Sequence, residues 1–371
     1  MSKSCESSAA DGTKAGFHPS KTAVWMRRGA LALPMVAICA LLYTHSGTAR
    51  AGSGPQAAAP AAQGSPGAAV GINWIARKSG ISDSLLAIFG SSDGSHLWAA
   101  GDAIVESDDG GATWMVRKTH AELNTEFTSV FGTSDGKRVW AVGMGGTILE
   151  SDNGGKTWAE RKSGTTNDLQ SITGTSDGGH LWVVGGKGTF LESDDGGATW
   201  NLRLRGTKED MFSIAQTGDG KQLWVAGSST PLAVSSDNGV TWAAPKASLP
   251  TSVALTSLFA TSDGQYLLAI GGAGDLLRMD FAGGVWTARY LEVPSYLSSI
   301  YGTSDGKRLW VFGSSLQANG VILESDDGGS NWITRSSSAG AWLLSMFGSS
   351  DGKHLWVVGN GGVILESDGT N

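Results

Sequence analysis

The sequence predicts an all-β fold, a seven-bladed β-propeller whose last blade is closed by the N-terminal strand. Three observations carry this. The phrase S-D-G-x-x-L-W ends at Trp98, Trp140, Trp182, Trp224, Leu268, Trp310 and Trp356, in steps of 42, 42, 42, 44, 42 and 46 residues. A second phrase, S-D-D-G-G-A-T-W at 107–114 and its variants, keeps step with it. A period of about 40–45 residues is what a four-stranded blade needs. Finally, no segment within 72–371 shows a sustained helical apolar period.

Each unit reads as four strands. In 85–118, the apolar runs 85–89, 97–100, 103–106 and 112–117 are separated by Gly, Asp and Ser clusters, the signal for short strands joined by tight turns. Asp93-Gly94 suits the first hairpin, because Gly accepts positive φ and Asp bonds its own backbone. The same dipeptide recurs in all seven units, as Asp135-Gly136, Asp177-Gly178, Asp219-Gly220, Asp263-Gly264, Asp305-Gly306 and Asp351-Gly352.

The turn between the third and fourth strands has the form S-x-D-x-G-x-T-W. Ser107, Asp109, Gly111, Thr113 and Trp114 fit it fully, as do Ser193 to Trp200 around Asp195 and Ser235 to Trp242 around Asp237. Unit two places Asn153 at the Asp position ahead of Trp158. Unit six keeps Asp327 and Trp332 but has Asn331 at the Thr position, and unit five retains little beyond Gly283 and Trp286. The polar side chains are expected to bond amides of the glycine-rich turn while the Trp plugs the gap between sheets. The spacing lacks the alternating ligands and terminal Glu of a calcium loop, so no metal and no cofactor is expected.

The last unit stops at 366–371 without a fourth strand, whereas INWIARK at 72–78 mimics WAERK at 158–162. The N-terminal strand is therefore expected to complete the last blade and leave no open edge in the ring. Ahead of the propeller (72–371), residues 1–51 read as a signal peptide or N-terminal membrane anchor. A basic stretch ending at Arg27-Arg28 precedes the apolar run 30–43, and Ala49-Arg50-Ala51 fits a cleavage site. The run is short for a spanning helix and contains Pro34, which favours cleavage over anchoring. Residues 52–71, rich in Ala, Pro and Gly, read as a tether. Both cysteines, Cys5 and Cys39, lie ahead of the cleavage site, so the expected product is an exported domain without disulfides, periplasmic or extracellular. The net charge of −7 argues against a nucleic-acid surface.

Three columns of the repeat bear on chemistry. Along the inner strand stand Ala87, Ser129, Ser171, Ser213, Ser257, Ser299 and Ser345, with no His beside any of them to act as base. Small hydroxyl residues there suit a water-filled channel. His96, His180 and His354 share a column with Arg138, Gln222, Tyr266 and Arg308, which marks a solvated turn and not a ligand set. In the third column a Glu precedes the turn at Glu106, Glu150, Glu192, Glu324 and Glu366, and an Arg follows its Trp by three residues at Arg117, Arg161, Arg203, Arg335 and Arg77. These are expected to form exposed cross-strand pairs, each worth less than about 1 kcal/mol. Unit four has neither partner, with Val234 and Pro245. Unit five has Arg278 facing Arg289, like charges that an acidic partner would neutralise, and this pair is the binding site the sequence offers.

The repeated S-x-D-x-G-x-T-W turns resemble the Asp-box of sialidase and sortilin-type propellers. With the trailing Arg and the G-x-G-G-x-I-L-E-S phrase at Gly143 to Ser151 and Gly359 to Ser367, the chain looks like the photosystem II stability and assembly factor family. That resemblance implies a non-catalytic, lumenal or periplasmic scaffold, monomeric, using basic patches to hold protein partners, including a membrane complex. The alternatives are an exo-acting glycoside hydrolase of sialidase type and an extracellular peptide-binding receptor or adhesion module. A sialidase needs an arginine cluster, a Tyr nucleophile with a Glu partner and an acid/base Asp. The chain has no Arg-Ile-Pro motif, and Tyr301 falls in a column that holds Phe89, Phe131, Phe259 and Phe347 elsewhere, hence core.

Overall fold

The computed structural model describes residues 73–204, 209–228, 232–249, 254–272, 274–291, 295–315, 320–336, 340–349 and 352–367. The leader, tether and both cysteines lie outside them, as does the Asp351 turn. Among the described residues no helix is long and apolar enough to cross a membrane.

The chain forms seven small antiparallel sheets in a ring, a seven-bladed propeller. From the axis outward, blade one runs Leu85–Gly90, Leu97–Gly101, Ile104–Ser107 and Met115–Lys118. Blade two runs Phe127–Gly132, Val139–Gly143, Ile148–Ser151 and Ala159–Arg161. Blade three runs Leu169–Gly174, Leu181–Gly185, Thr189–Ser193 and Asn201–Leu204. Blade five runs Leu255–Ala260, Tyr266–Gly271, Asp275–Asp280 and Val285–Tyr290, and blade six Ser295–Gly302, Leu309–Ser315, Gly320–Ser325 and Ile333–Ser336. In blade seven, Leu343–Gly348, Leu355–Gly359 and Val363–Ser367 are completed by Trp74–Lys78, with Trp74 paired to Ser367 and Lys78 to Val363. The N-terminal strand does close the ring.

Blade four departs from the expected pattern. Its sheet has three strands, Met211–Gln216, Leu223–Gly227 and Leu232–Ser235, and the fourth is reduced to a single bridge, Val234 to Ala243. In blade two the matching pair continues to Leu149–Glu160 and Ile148–Arg161. Here Pro245 has no amide to offer the ladder, so the outer edge stays partly open. A short helix, His120–Leu123, lies in the link from blade one to blade two.

The core lies between blades, not within them. Each of the seven apolar clusters draws on two neighbouring blades, as where Trp140 and Ile148 of blade two meet Leu169 and Val183 of blade three. Around the axis the rings of Phe131, Phe89, Phe347, Tyr301 and Phe259 follow one another at 5.2–6.4 Å. Phe89 packs on Gly132 and Phe131 on Gly174. Blades three and four carry Thr173 and Ala215 in this column, and the glycine's counterparts beyond them are Gln216 and Ala260.

The inner serines do not simply face water. Ser345 accepts from Ile88 N at 3.3 Å, Ser129 from Ile172 N at 3.3 Å, Ser171 from Ile214 N at 3.4 Å and Ser213 from Leu258 N at 3.1 Å, each time in the next blade. An inner-strand amide pointing away from its own ladder needs such an acceptor.

Candidate functional site: the junction of blades five and six

The repeated turn shows how neighbouring blades join. Ser107 Oγ accepts from Gly111 N at 2.8 Å, while Asp109 accepts from Thr113 N at 2.8 Å and Thr113 Oγ1 at 2.6 Å. Asn153 keeps that geometry with one bond reversed, its Nδ2 donating to Thr157 Oγ1 at 2.7 Å, and Asn331 Nδ2 donates to Asp327 Oδ2 at 2.6 Å. Trp114, Trp242 and Trp332 donate to the carbonyls of Gly111, Gly239 and Gly329 at 2.9–3.0 Å. Trp158 and Trp200 close their gaps without such a bond. The second turn glycine has φ of +89° at Gly155, and a Cβ there would collide with Trp98 of the preceding blade. In blades two and one the turn seats the preceding blade's second-strand Trp: Trp98 Nε1 donates to Gly154 O at 3.0 Å and Trp356 Nε1 to Gly110 O at 3.2 Å.

The Glu–Arg column pairs in all five blades that carry it, at 2.7 Å for Arg77–Glu366, 2.5 Å for Arg117–Glu106, 2.7 Å for Arg161–Glu150, 3.0 Å for Arg203–Glu192 and 3.4 Å for Arg335–Glu324. The partners sit diagonally, two positions apart in register. They are not the exposed pairs expected, because the glutamate side chains are only 1–13% exposed. Arg138 and Arg308 add second ion pairs to Glu150 and Glu324 at 2.7 and 3.2 Å. Both also lie over the Trp beside them, at 4.8 and 4.9 Å from the ring centroids. The rings of His96, His180 and His354 take that place in blades one, three and seven, 6.0–6.1 Å from Trp98, Trp182 and Trp356. This column therefore covers tryptophan edges. Among the described residues no three His, Cys, Asp or Glu are placed to hold a metal ion.

Blade five replaces this pattern. Leu268 stands in the Trp column directly opposite Arg278, and the missing indole leaves a cavity of about 330 Å³ lined by Leu268, Leu276, Arg278, Arg289 and the Gly328–Ser330 turn of blade six. Arg278 lies over the Tyr266 ring at 3.9 Å and donates through Nη1 to Gly328 O, the acceptor position that Trp98 and Trp356 reach elsewhere. Arg289 Nη1 donates to Gly329 O at 2.8 Å and to Ser330 O. The two arginines are diagonal, with Arg278 opposite Thr287 and Arg289 opposite Leu276. Each is anchored to blade six, and among the described residues no carboxylate forms an ion pair with either.

A second unusual group escaped the sequence reading. Glu126 is only 9% exposed, and among the described residues no hydrogen bond or ion pair reaches its carboxyl. Burial, then Asp102 and Asp168, push its pKa up to about 7. At the matching positions Asp168 accepts from Gly145 N at 2.8 Å and Asp210 from Lys187 N at 2.9 Å. The turn of blade one that should supply Glu126's amide has two residues, Asp102 and Ala103, where blade two has four between Gly143 and Ile148. That length difference was the available signal. Tyr301 behaves as core: its hydroxyl donates to Gly348 O at 2.7 Å, and burial pushes its pKa up to about 12.

The sequence matches the family described as Photosynthesis system II assembly factor YCF48 over residues 68–166. The chain is similar to the photosystem II assembly factors. Among solved structures, YCF48 bound to D1 peptide is similar at a TM-score of 0.63 and 20% identity, over 79% of this chain and 94% of that one. YCF48 from Cyanidioschyzon merolae gives 0.62 and 19%, over 80% and 99%. The GH74 xyloglucanase from Xanthomonas campestris gives 0.64 and 15%, over 80% of this chain and 53% of the enzyme. At these identities the structural likenesses show the fold. No curated protein matches the sequence.

Proposed function

We propose that this chain is an exported, non-catalytic scaffold that holds a protein partner, in the way its resemblance to the assembly factors implies. The match of residues 68–166 to that family carries the reading, and the peptide-bound state of one structural relative agrees with it. Export rests on the apolar run 30–43 and the Ala49-Arg50-Ala51 site. Either a cleaved leader or an inner-membrane anchor would put the ring on the same side. A monomer is favoured because the blades cover one another's faces around a closed ring.

Affinity capture with the full-length, C-terminally tagged chain from its native membranes tests this. The expected result is one membrane-complex subunit recovered in stoichiometric amount. An empty capture, together with turnover of a panel of chromogenic glycosides, would overturn the scaffold in favour of the glycosidase.

A further inference from the structure

We propose that the cavity between blades five and six binds a carboxylate side chain of a protein partner, with Arg278 and Arg289 as its donors. The proposal rests on the protein-binding reading above and names the chemistry of the contact. In the five blades that carry the column, the arginine corresponding to Arg289 meets a glutamate of its own sheet. Blade five puts a second arginine where that glutamate would stand, so the junction carries two positive charges, and among the described residues no carboxylate forms an ion pair with either. Diagonal neighbours in a sheet are within reach of each other through long side chains, and like charges there are unfavourable until an anion joins them.

The geometry suits such an anion. A guanidinium has five N–H donors, and the contacts to the Gly328–Ser330 carbonyls use one nitrogen of each arginine. Those contacts, and the Tyr266 ring under Arg278, hold both forks in place before a ligand arrives, which lowers the ordering cost of binding. Leu268 leaves the space that an indole fills in the other six blades. The choice of a carboxylate over a phosphate follows from the wall. Three carbonyl oxygens line it, with Asp326 and Asp327 in the same turn, and they oppose a dianion more strongly than a single charge. On a chain of net charge −7, an acidic probe gains nothing from the overall field, so its binding must be local.

The test measures binding of a fluorescent acetyl-hexaglutamate amide to the full-length chain at low salt, with hexaglutamine and inorganic phosphate as comparisons. Saturable binding of hexaglutamate alone is expected. It should weaken at least tenfold in Leu268→Trp, which keeps both arginines and places the residue of the other six blades in the cavity. It should weaken as much in Arg289→Gln, whose exposed outer-strand position preserves the fold should the cavity variant fail to form. Wild-type affinity in a folded Leu268→Trp or in Arg289→Gln, no binding by the wild type, or equal displacement by phosphate would overturn the proposal. A partner captured equally well by wild type and both variants would leave the scaffold standing and end the pocket. Hexaglutamate bound without any captured partner would do the reverse.

Discussion

Arg77 and Glu366 are 289 residues apart in the chain and 2.7 Å apart in the fold. The glutamate is 13% exposed and the arginine 30%, so this is a half-buried latch joining the first strand to the last. Arg77→Met would leave the carboxylate desolvated without its cation, and a loss of about 2 kcal/mol is expected. Adding Glu366→Leu should recover most of it. Urea unfolding of the two variants checks this. A double variant no more stable than the single would show that the strand, not the ion pair, holds the ring.

Glu126 makes stability depend on pH. Its folded pKa of about 7 lies above the usual carboxylate value, so the folded state holds the proton more tightly than the unfolded state. The group does no harm below about pH 4, and stability falls as pH rises through about 7. The full penalty is on the order of 3 kcal/mol for a shift of this size. Glu126→Gln should therefore raise the melting temperature at pH 8 and leave it nearly unchanged at pH 4. Equal effects at both would mean that the carboxyl finds a partner.

The repeated turns give the opposite dependence. Hydrogen bonds from Thr199, and then from Ser193, hold the Asp195 carboxyl down at about 2, and Asp237 is held at about 2 by Thr241 and Ser235. What these groups contribute is present above about pH 4 and lost as pH falls through about 2. Asp195→Asn should be mild, since Asn153 already supports the same turn, while Asp195→Ala should lower Tm by roughly 2–4 °C. Calorimetry of the pair separates geometry from charge.

Ala87 interrupts the inner-strand serines. Its counterparts in blades two, three, four and seven accept an amide of the next blade, and the amide awaiting Ala87 belongs to Val130. Ala87→Ser is expected to stabilise by up to about 1 kcal/mol, read as a higher urea midpoint. An unchanged midpoint would mean that the hydroxyl rotates elsewhere.

Periodic features were legible in the sequence because a period repeats its own evidence. The six Asp-Gly hairpins among the described residues and the shared last blade follow from local rules, and the Glu–Arg pairing followed from two columns appearing and vanishing together. Environment was harder to read. Glu106 reads as a rim charge, but the next blade's turn at Gly155 packs beside its carboxylate, a neighbour that no single repeat contains. The open edge of blade four depended on the one missing amide of Pro245, and the unpaired Glu126 on two residues missing from another blade. Arg278 stands out in the sequence by its charge. Its anchor, Gly328 O, lies 50 residues away and became visible only once the blades were set side by side.

The shared seventh blade also sets an order of events. The strand Trp74–Lys78 is made before the rest of the ring, and its partner Val363–Ser367 follows 289 residues later. At about 5–20 residues per second, the interval is roughly a quarter of a minute to a minute. For that time the first strand has no sheet to join. The six blades made in between can accumulate, but the circle cannot shut until Val363–Ser367 has been made, and whatever protects that waiting edge during synthesis decides how much of the chain closes correctly.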